Sequence, residues 1–171
     1  TDPMAPEISG HIDAHERTRD VIFFENHLFA SDGNGLMYVY NISDLNDVYE
    51  VNSIYTGWIV DIFIDDYFAF ICYGTNVKIL ILSDLDNLEV IAEFGLDTGC
   101  EGIFVTNLIA YIAATSGGLK IYDIASLRNC REIGEFSPNE PERLGSFNRI
   151  EDVEVKDDYA YVASCSGGFQ V

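Results

Sequence analysis

The chain has 171 residues, 48% of them hydrophobic, with 29 acidic against 9 basic side chains and a net charge of −20. That length builds one sizeable core. The charge repels nucleic acid and anionic membranes, since phosphate binding needs Lys and Arg to displace counterions. No apolar run approaches the ~18 residues that cross a membrane, so membrane insertion is not expected. The acidic surface attracts cations and basic partners, and it suits a salty or extracellular medium.

In chain order the first signal is Thr1-Asp2-Pro3, which is neither basic nor followed by an apolar stretch, unlike a signal peptide. A mature or excised segment is the expectation. Asp20-Val21-Ile22-Phe23 then alternates as a strand does, and Glu25-Asn26 supplies a tight polar turn. Phe29-Ala30-Ser31 is a second strand, Asp32-Gly33-Asn34-Gly35 a loop, and Met37-Tyr38-Val39-Tyr40 a third strand. Ser43-Asp44-Leu45-Asn46 turns into a fourth strand that ends on Ile54.

This unit of strands A to D recurs. Strand A returns at Asp61-Ile62-Phe63-Ile64, Gly102-Ile103-Phe104-Val105 and Asp152-Val153-Glu154-Val155. The A–B turns are Asp65-Asp66, Thr106-Asn107 and Asp157-Asp158, and strand B is Phe70-Ile71-Cys72, Tyr111-Ile112-Ala113 and Tyr161-Val162-Ala163. From Phe29 the strand-B spacings are 70−29 = 41, 111−70 = 41 and 161−111 = 50. A period of about 40 residues rich in β-branched and aromatic side chains is the mark of a β-propeller blade, so the expected fold is all-β, a propeller of four-stranded antiparallel blades.

The N-terminus joins the scheme. Thr1-Asp2-Pro3 aligns with the C–D turns, and Ile12 aligns with strand-D ends Ile54, Phe94 and Phe136. The expected divisions are 1–13 (a C–D turn and a D strand), 14–55, 56–96, 97–137, and 138–171 (an insertion and strands A to C). The four blade-equivalents are thus permuted by one strand. Two readings stay open: the N-terminal D strand closes a small ring, or further repeats or a second chain complete a larger one of roughly six to eight blades.

Gly117-Gly118-Leu119-Lys120-Ile121-Tyr122-Asp123-Ile124, Thr1-Asp2-Pro3, and Asp152-Val153-Glu154-Val155 with Tyr159-Ala160-Tyr161-Val162-Ala163 carry a family pattern. It resembles the LVIVD-repeat family of β-propellers, and the resemblance covers essentially the whole chain. It implies a propeller of the kind found in surface or secreted bacterial and archaeal proteins, hence an extracellular or cell-surface location, and it implies no reaction. The second copy departs, with Asn76-Val77 and Leu80-Ile81-Leu82 in place of the usual residues.

Four groups are candidates for function. Asp20, Asp61 and Asp152 open strand A, with Glu101 beside Gly102 in the third copy. Strand A is innermost in a propeller, so these carboxylates would ring the channel mouth. They would suit a hard cation such as Ca²⁺, the one cofactor considered, or cap the backbone of their own turns. Asp32-Gly33-Asn34-Gly35 lacks the spacing of a calcium loop and reads as a turn. The insertion that makes the last interval 50 carries Arg143, Phe147 and Arg149 on the face of the D–A and B–C loops. Irregular loops on a rigid scaffold are where binding concentrates. Tyr55 and Trp58 lie near the same face, where they would stack on a sugar or peptide or else pack between blades.

Cys72 and Cys130 read as small strand hydrophobes. Cys100 and Cys165, in predicted loops, are the disulfide candidates, with pairing left open. The expected function is non-catalytic: binding or scaffolding of a protein or glycan through the loop face. The alternatives are a hydrolase or lyase using the channel-mouth carboxylates as acid and base, and a purely architectural module stabilised by Ca²⁺.

Overall fold

The computed structural model describes residues 4–5, 11–12, 17–137, 149–165 and 168–171. Fifteen strands among them form four antiparallel sheets, each ordered as its strands follow in sequence. Blade 1 is β1 (Thr18–Phe24), β2 (His27–Asp32), β3 (Leu36–Asn41) and β4 (Tyr49–Tyr55). Blade 2 is β5 (Ile59–Asp65), β6 (Phe68–Tyr73), β7 (Asn76–Ile81) and β8 (Glu89–Gly95). Blade 3 is β9 (Gly102–Thr106), β10 (Ile109–Ala113), β11 (Leu119–Asp123) and β12 (Arg131–Phe136). Blade 4 has three described strands, β13 (Ile150–Lys156), β14 (Tyr159–Ser164) and β15 (Gly168–Gln170). The all-β propeller with about four blade-equivalents is what the repeat implied.

The register places each A–B turn. Phe24 pairs with His27 and Lys156 with Tyr159, so the turns are Glu25-Asn26 and Asp157-Asp158 as expected. Asp65 pairs with Phe68 and Thr106 with Ile109, which moves the other two turns one residue on, to Asp66-Tyr67 and Asn107-Leu108. The reason is backbone geometry. The first turn residue takes a positive φ of about 50° in all four copies, at Glu25, Asp66, Asn107 and Asp157. Asp and Asn tolerate that region better than most residues.

The core lies between blades rather than within one. Phe29, Met37 and Val39 of blade 1 meet Ile62, Ile71 and Leu80 of blade 2. Phe70, Val77 and Ile79 of blade 2 meet Ile103, Val105 and Ile112 of blade 3. Ala113 and Leu119 of blade 3 meet Val153 and Val162 of blade 4. Inner strands of blades 2 and 3 are therefore covered on both faces. This explains why Phe70-Ile71-Cys72 is an unbroken apolar run instead of an alternation.

The innermost strands pack in series, β1 on β5, β5 on β9, and β9 on β13. No comparable contact among the described residues joins β13 back to β1. Most of the expected D strand in 1–13 lies outside the described residues, and its described members, Met4, Ala5, His11 and Ile12, are not in a strand. Ile12 packs on the blade 1 cluster of Ala30, Tyr38 and Tyr40.

The cysteines need correcting. Cys72, at the end of β6, is disulfide-bonded to Cys100 in the connection that leads into β9. Both are fully buried, so Cys72 is a cross-link as well as a core residue. Cys130 lies just before β12 and Cys165 just after β14; both are free thiols.

Candidate functional site

The D–A and B–C connections share one face and are stitched together by main-chain bonds. Thr56 and Gly57 N–H groups donate to the Gly35 carbonyl at 2.9 and 3.2 Å, Leu96 N–H to Thr75 at 2.7 Å, Cys100 N–H to Gly74 at 2.9 Å, and Ile150 N–H to Thr115 at 3.1 Å. Glycine is required where the loops touch. Gly35 has φ +91°, and a Cβ there would fall 2.8 Å from the Gly57 carbonyl carbon. Loops tied this way present fixed side chains, which is what recognition needs.

Tyr55 and Trp58 stand out on this face, 68% and 58% exposed. They do not pack between blades. Arg19, which the sequence reading did not single out, places its guanidinium 4.8 Å from the Trp58 ring centre. Next to them Tyr73 covers Gly57, where a Cβ would meet the ring edge at 2.8 Å. The Lys78 ammonium lies 4.1 Å over the Tyr73 ring and donates to the Thr56 carbonyl at 2.7 Å. The Tyr73 hydroxyl donates to Glu93. Burial, and then the Glu93 carboxylate, push the Tyr73 phenol up to about 12. A cation–π contact of this exposed type contributes about 0.5–1 kcal/mol, enough to fix the indole without covering its outer surface.

The insertion residues Arg143 and Phe147 lie outside the described residues. Arg149 is described and is committed to ion pairs. Its guanidinium donates to Glu101 at 2.7 Å, and its Nε lies 2.9 Å from Glu151, out of hydrogen-bonding alignment. The Cys165 thiol donates to the same Glu151 carboxylate at 2.9 Å, which raises the thiol's pKa.

The strand-A carboxylates do something sequence spacing did not show: they cross between blades. Asp20 Oδ1 accepts the Val21 N–H at 2.9 Å, while its Oδ2 accepts the Ile62 N–H of blade 2 at 3.1 Å. Asp61 repeats this, with Oδ1 on Ile62 N–H at 2.9 Å and Oδ2 on Ile103 N–H of blade 3 at 2.8 Å. Donor and acceptor are 42 residues apart in both links. Blade 3 has Gly102 at this position and makes no such link; a Cβ there would lie 2.8 Å from Asp152 Oδ1. Asp152 holds the Val153 N–H at 2.8 Å. Burial pushes the Asp61 carboxyl up to about 6, the bond from Ile103 opposes this, and the Asp20 and Asp152 charges add to it.

Glu101 is drawn off by Arg149, and among the described residues no three acidic, His or Cys groups are placed to hold one metal ion. Asp32 caps its own loop, accepting the Asn34 and Leu36 N–H groups, each at 2.8 Å. Replacing Asp20 with Ala removes one of two acceptors from the Ile62 N–H. Urea unfolding will show a loss of about 1 kcal/mol at unchanged m-value, and no loss would mean the crossing bond carries nothing.

No protein-family model matches the chain, and no curated protein matches it. Solved structures do. The β-propeller domain of Cps50 (Swd1) from Myceliophteria thermophila is similar over 92% of this chain and 51% of its own, at 11% identity and TM-score 0.73. The computationally designed Ika4 protein is similar over 96% of this chain and 93% of its own, at 14% identity and TM-score 0.71. The designed Ika8 protein is similar over 95% of this chain and 46% of its own, at 14% identity and TM-score 0.67. The chain thus spans nearly all of Ika4 and about half of the other two. Identities this low carry the fold alone, and the fold they carry is a β-propeller of about four blades.

Proposed function

We propose that this chain is a non-catalytic interaction module that binds a protein or glycan through the loop face bearing Tyr55, Trp58 and Arg19. The observation that carries this reading is the exposure of two large aromatics, one at the end of β4 and one in the connection that follows it, where backbone stitching holds the chain in place. Tyr, Trp and Arg are the residues that most often anchor interfaces; Tyr and Trp offer large rigid area at low cost in side-chain entropy, and Arg adds a planar charged donor. The likeness to propeller domains supports a scaffold role, as rigid propellers commonly present such loops. Acid–base catalysis is less well supported, because both Asp61 oxygens are already occupied by backbone N–H groups.

The setting we propose is extracellular or cell-surface. The buried Cys72–Cys100 bond supports an oxidising compartment, and the LVIVD-like repeat and net charge of −20 agree with it. The test is a glycan array and a displayed peptide library probed with the wild type and with a Tyr55→Ala, Trp58→Ala double variant. Both side chains are exposed, so the melting temperature stays within about 2 °C of wild type. The variant is expected to lose tenfold or more in affinity for whatever the wild type selects, about 1.4 kcal/mol. An unchanged binding profile would sink the proposal.

A further inference from the structure

Every blade presents a leading and a trailing face, and the three junctions inside the chain show what each requires. On the leading faces Phe29 and Met37, then Phe70 and Val77, then Tyr111 and Leu119 press on the next blade. On the trailing faces Ile62, Ile103 and Val153 receive them, all buried. At two junctions a carboxylate also crosses, from Asp20 to Ile62 N–H and from Asp61 to Ile103 N–H.

The two outermost faces repeat these positions, and among the described residues no further blade packs against them. By strand register, Tyr161 and Phe169 occupy the leading positions of blade 4. Their rings stack 5.8 Å apart, and Phe169 is 68% exposed, whereas its counterparts Met37, Val77 and Leu119 are buried. Asp152 holds its own blade's Val153 N–H, as Asp61 holds Ile62, but no described neighbour takes its second oxygen. On blade 1, Val21 and Phe23 fill the trailing positions and are 51% and 66% exposed. Among the described residues one carboxylate, Asp20 Oδ1, accepts the Val21 N–H, where Ile62 N–H has two carboxylate acceptors.

We propose that these two faces dock on each other between two copies of this chain, head to tail, so that two four-blade arcs close one ring. Phe169 and Tyr161 of one copy cover Val21 and Phe23 of the other, and Asp152 accepts the Val21 N–H across the junction. The interface continues an apolar packing made three times within the chain and a carboxylate link made twice. The size also fits, since the arc spans 51% of the Swd1 propeller domain and 46% of Ika8. A ring of about eight blades is within the range propellers adopt. Heterologous contacts of this kind close into rings when the rotation per copy allows. The competing arrangement, like face on like face, sets Asp152 against Asp152 in a chain of net charge −20. The proposal uses the flanks of the arc and not its loop face, so it stands or falls separately from the binding role.

Sedimentation velocity over roughly 1–100 µM tests it. The wild type is expected to run at the mass of two chains. Phe23→Asp and Phe169→Asp each change an exposed side chain and should keep the wild-type circular dichroism while running as monomers, with a urea midpoint that no longer rises with protein concentration as the wild type's does. Mixed in equal amounts they should recover a two-chain species at the upper end of that range. The Phe23→Asp copy still offers an intact leading face, and the Phe169→Asp copy an intact trailing one. A monomeric wild type, a dimer that survives either single variant, a mixture that stays monomeric, or an open ladder of larger species each overturns the proposal.

Discussion

Replacing Cys72 and Cys100 together with Ala will lower the unfolding free energy by at least about 3.5 kcal/mol and the melting temperature by at least about 7–14 °C. The bond closes a loop with a sequence separation of 28 residues. On the chain-entropy account, that removes about 3.5 kcal/mol of freedom from the unfolded chain. Both residues sit in the core between blades 2 and 3 beside Val77, Ile103 and Ile112, so part of any loss in the variant is packing. Wild-type protein refolded with reductant separates the two, because it breaks the bond and keeps both side chains. It should show most of the same drop. Alkylation in denaturant without reductant should label Cys130 and Cys165 alone; labelling of all four would remove the bond and the prediction with it. The consequence reaches function. Cys100 lies in the connection that enters β9, on the loop face, so breaking the bond frees that loop as well as destabilising the core.

Strand content and order were legible because each blade repeats the same pattern of apolar residues and turn signals. Strand A, the aromatic–aliphatic strand B and the alternating strand C fall inside observed strands, except that the last strand C, expected over Phe169-Gln170-Val171, ends at Gln170. Two A–B turns were misplaced by one residue for a definite reason. Asp65 and Asp66 are equally good turn formers by type, and only cross-strand pairing decides which takes the positive φ. Cysteine pairing was not legible for the same kind of reason. Cys72 reads as a strand hydrophobe and Cys100 as a loop residue, and nothing local shows that the blade 2–blade 3 junction brings them together.

The candidate site was partly legible. Residue type identified Tyr55 and Trp58, but whether an aromatic at a blade edge packs or protrudes depends on the neighbouring blade, and these protrude. Arg19 was missed because it lies 39 residues before Trp58 and meets it only across a blade boundary (58−19 = 39). Asp20, Asp61 and Asp152 stood out by their shared repeat position, Glu101 pairs with Arg149 instead, and the local bond of each Asp to the next residue's N–H follows from its place at the start of strand A. The second bond of Asp20 and Asp61 was not legible, because it depends on a neighbour 42 residues away. Gly102, which breaks the series, carried a hint: the copy without the carboxylate is the copy without the link.

The same carboxylates give the second large expectation. The Asp61 carboxyl titrates at about 6 in the folded chain, against 3.8 as its starting value. The folded state therefore holds this proton more tightly than the unfolded state does. Below about pH 4 both states are protonated and the contribution is fully present; it falls away as pH rises, and above about pH 6 both are ionised and it is lost. The difference corresponds to roughly 2–3 kcal/mol. Asp61→Asn removes the titration, although its amide meets a backbone N–H where a carboxylate oxygen had accepted, so its absolute stability at any one pH is a poor readout. The change with pH is the sound one. Urea unfolding of both proteins should show the Asn variant gaining roughly 2–3 kcal/mol relative to wild type between about pH 4 and pH 7, most of it below pH 6.5. Adding Asp20→Asn to wild type should move the wild-type transition to lower pH, because Asp20 is the larger of the two neighbouring charges that raise it. A wild-type-to-variant difference that stays flat across this range, or moves the other way, would show that Asp61 is already ionised and well solvated at the channel mouth. The inter-blade link would then be a bond between a solvated carboxylate and Ile103, and not one made by a half-buried carboxyl that the Asp20 and Asp152 charges help to keep protonated.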